Sequence, residues 1–375
     1  MTTIRERGAA ALRRFSRSTT MTLLCVVLIG YLALGVASSG SFFEGPSVRT
    51  FLRYLATPVL IGLAQMVALC VGQLNLAVGA LGGFTACLMG VLMADQGVPA
   101  PVAVVAGVLT ATAVGLVTGL FIVVTKINGF IVTLGTMTIL QGAQYGLTGT
   151  RTVDGYSAAL RDFGRAAPLN VPLVFVTALA AAALLAAFLY RATAGRRLLA
   201  AGGNPLAARL SGISTDRQIV LAHTLSGLLI GVAALTATAS LPGVNRSVGG
   251  DWLLPSFAAP IIGGVALTGG SVAVLGTVLA AFVMRLIDAA RAQFSLDPSW
   301  VNFLIGVVVL GTVVGGRIHQ SHLAKRGVSR GSAPPARGSR GSAPPARGSR
   351  GSAPPAPPRS DARPAAVSPH TGGFG

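Results

Sequence analysis

PVAVVAGVLTATAVGLVTGLFIVV, residues Pro101–Val124, runs 24 residues without one charged side chain. At 1.5 Å of rise per residue a helix of about 20 residues crosses the roughly 30 Å of a bilayer's hydrocarbon core. Similar apolar runs recur at Thr20–Ser38, Ala56–Val71, Leu76–Ala94, Phe130–Leu147, Val171–Tyr190, Ile219–Leu241, Leu254–Leu267, Val272–Ile287 and Val301–Gly315. The composition agrees. Hydrophobic residues make up 52% of the 375-residue chain and charged residues only 10%, against about 25% charged in soluble proteins. The expected fold is all-α: a polytopic membrane helix bundle of about ten transmembrane helices.

Charge orients the bundle. Arg5, Arg7, Arg13, Arg14 and Arg17 precede the first run, and Lys126, Arg191, Arg196, Arg197, Arg209 and Arg217 fall on the same side if the runs alternate. Glu44, Asp95, Asp154, Asp162, Asp251, Asp288 and Asp297 fall on the other. The positive-inside rule then puts both termini of a multi-pass membrane protein in the cytoplasm. The first run is long for a secretory signal and is read as a retained helix. The formal charge of +19 needs no nucleic acid as partner, because the cations lie at termini and in loops. The chain divides into a basic N-terminus (1–19), a transmembrane domain (20–317) and a tail (318–375). That tail repeats RGSAPPARGS from Arg330; such a composition buries too little apolar surface to order itself, and its arginines suit anionic membrane lipids.

The chain carries no P-loop. Its only lysines, Lys126 and Lys325, are followed by Ile127 and Arg326 rather than Ser or Thr. No HExxH run, nucleophile elbow or metal-ligand spacing is present, so no cofactor or metal is expected on this chain and no catalytic residue is assigned. Cys25, Cys70 and Cys87 read as small core residues. His223, alone inside a span, reads as an interhelical hydrogen-bonding group or a proton relay. Helix interiors lack the acids that ion-coupled carriers use, and Asp288 sits near a helix end with Arg285 and Arg291 three residues away on either side. Energy for uphill transport would have to come from a partner. A self-sufficient channel or secondary carrier, and an intramembrane enzyme, are the competing classes.

The loop Arg191–Asp216, RATAGRRLLAAGGNPLAARLSGISTD, is the most informative segment. Asn204 is a helix cap and Pro205 suits the first helical position; Gly212 can end the helix in a left-handed conformation. The pattern predicts a short helix, about Pro205–Ser211, outside the membrane and exposing Leu206, Arg209 and Leu210. It would press into another protein or rest on the bilayer surface.

GRRLLAAGGNPLAARLSGI (Gly195–Ile213) resembles the coupling loop of permease subunits in the ribose/xylose/arabinose branch of ABC importers. The likeness runs over roughly residues 50–320 through GQLNLAVGALGG (Gly72–Gly83), GFIVTLGTMTILQG (Gly129–Gly142), LLPSFAAPIIGGVALTGG (Leu253–Gly270) and VLGTVLAAF (Val274–Phe282). The resemblance implies a permease that pairs with a second copy or a paralogue. It also implies a cytoplasmic ATPase holding ATP and Mg, and an extracytoplasmic solute-binding protein. Gly203, Asn204, Pro205, Ala207, Ala208, Arg209, Leu210 and Gly212 would form the coupling contact. Gln65, Gln73, Asn75, Thr133, Gln141 and Gln144 are candidates for the translocation path, since amides and hydroxyls suit a neutral sugar. Asn245, Arg246 and Trp252 are candidates for the outer mouth. In that family an aspartate and a serine often stand where Asn75 and Ala77 do here, acids where Leu253 and Pro255 do, and a base where Ser271 does. These departures leave nucleoside, polyol, autoinducer and branched-chain amino acid cargo open beside a monosaccharide.

Overall fold

The computed structural model describes residues 19–295 and Phe303. Residues 19–295 form twelve α-helices: α1 (Thr19–Ala37), α2 (Gly45–Cys70), α3 (Val78–Ala94), α4 (Ala100–Thr125), α5 (Gly129–Thr148), α6 (Ala158–Arg165), α7 (Leu173–Arg191), α8 (Thr193–Gly203), α9 (Pro205–Leu210), α10 (Thr215–Ser240), α11 (Leu253–Ile262) and α12 (Val274–Gln293). Nine of them fall on the first nine expected spans. Five (α1, α2, α4, α7 and α10) are long and apolar enough by themselves to cross a membrane. The basic N-terminus as far as residue 18, the tenth span Val301–Gly315 and the repeated tail lie outside the described residues.

Three spans depart from the expected bounds by five residues or more, among them the ninth, which runs on to Gln293 rather than Ile287. The second begins at Gly45 rather than Ala56, with Pro46 in its first turn. Arg49 and Arg53 break the apolar run, yet they ride on turns that continue the helix beyond its buried part. The eighth stops at Ile262 rather than Leu267, because Gly263 follows as its C-cap and Gly264 takes a left-handed φ of 93°. Ten residues give a helix only about 15 Å long, half a membrane.

Burial sorts the helices. In α2 every residue from Val59 to Cys70 is buried, and α2 packs against α7, α10, α11 and α12, while α1 packs against α12. Helices α1, α4 and α7 expose rows of Leu, Val, Ile and Phe such as Ile29, Leu109 and Leu184, the pattern of a lipid-facing rim. Rings of Tyr31, Phe42 and Phe51 meet edge-on at 5.3 and 5.5 Å between centroids, Phe282 meets Phe51 tilted at 5.1 Å, and together they tie α1 to α2 and α12.

The most extensive helix pair, α4 with α10, is a glycine seam. A Cβ on Gly115 would strike the His223 carbonyl and lie 3.1 Å from Gly227 Cα, and one on Gly119 would lie 2.9 Å from Val220 Cα. His223 is buried in this seam, and its Nε2 finds no partner, so the expected interhelical hydrogen bond at that atom is not made. Gly142 and Gly146, at the same four-residue spacing, have nothing within 4 Å, and Gly311 and Gly315, spaced alike, lie outside the described residues. The Gly115→Leu variant should therefore lose folded yield and melt lower, since overpacking costs about 1–3 kcal/mol or more. Gly142→Leu should fold as the native chain does; equal thermal melts for both would refute the seam.

Candidate functional site

The loop after α7 folds on local information. Asn204 Oδ1 accepts from the Ala207 amide at 3.0 Å, capping α9, and Pro205 takes the first helical position. Gly212 has φ 77°, and the Ile213 amide closes the helix onto the Ala208 carbonyl at 2.9 Å. Arg209 folds back, its Nε donating to Thr215 Oγ1 at 2.8 Å and fastening α9 to the start of α10. Ala208 faces inward. Leu206 and Leu210 are 70% and 84% exposed, a bare apolar pair on a helix of six residues. The helix α8 before it, which the sequence reading left as loop, has Arg196 and Arg197 exposed and Leu198, Ala201 and Gly202 buried.

Three turns meet where α8 ends. The Gly270 amide donates to the Cys70 carbonyl at 2.8 Å, joining the link after α11 to the end of α2. A Cβ on Gly202 would strike that carbonyl and approach Gly270 N at 2.8 Å. The capped helix thus starts three residues after Gly202, the point where the chain meets both the end of α2 and the 268–271 link.

The six path candidates do not converge on one channel within this chain. Gln65, fully buried, sets its amide against the Asn75 backbone: in the orientation that satisfies both groups, Nε2 donates to the Asn75 carbonyl at 2.9 Å and Oε1 accepts from its amide at 3.2 Å. Asn75 Nδ2 donates to Ser226 Oγ at 3.1 Å, Asn75 Oδ1 accepts from the Ala77 amide at 3.0 Å, and Thr133 Oγ1 donates to the Leu74 carbonyl at 3.2 Å. These residues hold the irregular 71–77 backbone, which at membrane depth needs such partners. Gln144 Nε2 donates to the carbonyls of Val248 (3.0 Å) and Asn245 (3.2 Å), pinning α5 to the 241–252 loop. Gln73 borders an open cavity of about 760 Å³ beside the Lys126–Asp216 ion pair (2.8 Å) and Arg209. Of the six candidates Gln141, on α5, is the exposed one.

At the opposite end the 241–252 loop is tied by paired backbone bonds between Val153 and Val244 (2.8 and 2.9 Å), and Asn245 Nδ2 donates to Thr152 at 3.3 Å. It then descends along α3. Val244 lies against Gly90, Val248 against Gly83, and Trp252 against Gly82 and Gly79, so the chain sinks by about 16 Å before α11 begins. Arg246 stays outside, its guanidinium 5.7 Å from the Tyr145 ring centroid. The three mouth candidates are therefore separated: Asn245 and Arg246 at the rim, Trp252 below it. Trp252 lines a cavity of about 330 Å³ with Tyr54, Asp251, Arg285 and Asp288. The pairing expected from Arg285 and Asp288 is present at 3.9 Å; that they face Tyr54 and Trp252 was beyond any local pattern. Nearby, Arg151 Nη1 donates to Asp95 Oδ1 at 3.1 Å, and this bond holds the Asp95 carboxyl below its ordinary pKa. The stabilisation is present above the ordinary carboxylate pKa and fades as pH falls through the lowered one.

Comparison with known proteins accords with this arrangement. The chain is 26% identical to the fructose import permease protein FrcC of Rhizobium meliloti over 296 residues, 76% of this chain and 82% of that one. It is 28% identical to the autoinducer 2 import system permease protein LsrC of Enterobacter sp. (strain 638) over 264 residues, 70% and 77% of the two chains. It is also 28% identical to LsrC of Escherichia coli (strain K12 / DH10B) over 296 residues, 77% and 86%. No solved structure matches. Residues 47–313, well over half the chain, match the family described as the permease component of the branched-chain amino acid transport system. With its polytopic helical fold and its exposed capped helix between α8 and α10, the chain belongs to that family of membrane permease subunits.

Proposed function

We propose that this chain forms the membrane pathway of an ATP-driven importer for a small sugar-like solute. It works with a cytoplasmic ATPase that holds ATP and Mg, a solute-binding protein on the far side, and a second permease copy or paralogue. The single observation that carries this reading is α9: a rigidly capped helix whose Leu206 and Leu210 are exposed and which has no membrane to span. A groove on a partner protein is the natural cover for such an apolar pair. In this reading α8 and α9 face the cytoplasm, where Arg191, Arg196, Arg197 and Arg217 also lie, in a prokaryotic cell membrane with both termini inside. A second copy would seat on α5, where Gly135, Gly142 and Gly146 have open space and Gln141 is exposed with no hydrogen bond among the described residues. Small residues and amides are what helix–helix contacts in membranes use. Fructose and autoinducer 2, the cargo named for the relatives above, favour a polyhydroxylated solute.

The mechanism follows from the connections. Closure of the ATPase around ATP would displace α9, and α8 would pass that displacement to the turns at Cys70 and Gly270, biasing a two-state bundle. Vesicles holding this chain, the ATPase and the binding protein should accumulate labelled sugar against its gradient only when Mg and ATP are supplied. Accumulation by this chain alone would overturn the proposal in favour of a self-sufficient carrier.

A further inference from the structure

We propose that the cavity between α2, α10, α11 and α12 is a solute site carried within one subunit, and that it takes an uncharged polyhydroxylated molecule such as a monosaccharide or sugar alcohol. The proposal rests on the permease reading above and adds to it where the solute binds. Its volume of about 330 Å³ lies at the lower end of the range for small-molecule sites. The end of α10, Ser240 and Leu241, is at its rim, and α11 begins beside it where the descending loop delivers Trp252. Irregular backbone at such depth is tolerated where it lines a water-filled cavity.

The lining suits a sugar on two counts. Trp252 supplies an indole that lies close to α3 because Gly82 has no side chain; a Cβ there would come 2.8 Å from Cε3. The C–H face of a sugar ring stacks on the electron-rich face of such a ring. Around it stand hydrogen-bonding groups. Asp251 has no ion-pair partner among the described residues and can accept two hydroxyls. Pro58 interrupts α2 and leaves the Tyr54 carbonyl without its helical donor.

Charge argues against an amino acid. The Arg285 guanidinium lies 5.3 Å from the Tyr54 ring centroid and 5.8 Å from that of Phe51, and 3.9 Å from Asp288. Among the described residues Arg285 is the cavity's one cation, and Asp288 rather than a solute carboxylate balances its charge.

The chain has two tryptophans, Trp252 and Trp300. In a full-length Trp300→Phe permease held in lipid nanodiscs, Trp252 emission should change saturably on titration with fructose, ribose or xylitol and not with valine. Asp251→Asn should weaken that response by about tenfold, and Gly82→Ala, which crowds the indole, should abolish it. Equilibrium dialysis of radiolabelled fructose against the native chain and Asp251→Asn gives the same comparison without touching Trp300. Driven transport of a sugar by the reconstituted importer, with no saturable Trp252 signal and no dialysis binding, would overturn the cavity site while leaving the permease reading intact. A response to valine in place of the sugars would overturn the solute class. Loss of driven transport itself in the native complex would sink the permease reading instead.

Discussion

A permease carrying Leu206→Asp with Leu210→Asp is expected to reach the membrane at the native level and to import nothing. Both leucines are largely exposed, and neither helps to hold α9, which is fixed by the Asn204 cap, the Arg209–Thr215 bond and the Gly212 turn. The substitutions should leave the bundle's own stability almost unchanged, as surface changes away from special features usually do. The cost falls on docking. Central apolar residues of an interface each carry about 2 kcal/mol or more, so two buried carboxylates should weaken ATPase binding by at least about a thousandfold. Co-purification of the ATPase and uptake into vesicles would both be read, with Leu206→Met as the variant that retains both. Replacing Asn204 and Arg209 together attacks the same contact from within. The cap is worth about 1 kcal/mol to a helix only six residues long, and loss of the Arg209 bond frees the stub from α10. Uptake should again vanish while insertion persists. Normal import by either double variant would remove α9 from the mechanism.

That helix was legible in the sequence because everything that makes it is local: cap, proline and terminating glycine lie within nine residues of one another. The spans were legible for a similar reason, since an apolar run of membrane length needs no tertiary information. What escaped was set by packing. Arg49 and Arg53 hid the first turns of α2, because a charge ends an apolar run in sequence but not a helix in space. The descent of the 241–252 loop depends on Gly79, Gly83 and Gly90 of α3 giving it room, a pairing across about 160 residues that no window reveals. Gln65, Asn75, Thr133 and Gln144 were singled out because a polar group inside an apolar run demands an explanation. Polarity alone does not say whether that group meets a solute or a strained backbone, and here each meets backbone. The Trp252 cavity was missed as a unit for the complementary reason: Tyr54, Asp251, Arg285 and Asp288 come from three distant segments, and only the Arg285–Asp288 spacing signalled any of it.

Two neighbouring glycines should separate motion from docking. Gly202→Ala is expected to end import while the ATPase still binds, whereas Gly203→Ala is expected to transport normally. A methyl on Gly202 has nowhere to go: it would strike the Cys70 carbonyl and come 2.8 Å from Gly270 N, the two atoms joined by the bond between α2 and the link after α11. All are backbone atoms, so no side chain can swing aside. Relief requires moving α8 or breaking the Cys70–Gly270 bond, at about 1–3 kcal/mol for the overpacking and about 1 kcal/mol for the bond. At Gly203 the nearest atom to an added Cβ is Gly270 Cα at 3.7 Å, ordinary van der Waals contact. Because α9 and its exposed leucines lie beyond both positions, the docking surface is the same in the two variants. Gly202→Ala should therefore bind the ATPase and let it hydrolyse ATP without moving solute, a loss of coupling rather than of assembly. If it imports at the native rate, the junction of the three turns does not carry the stroke, and α9 must reach the bundle through the Arg209–Thr215 contact with α10 instead.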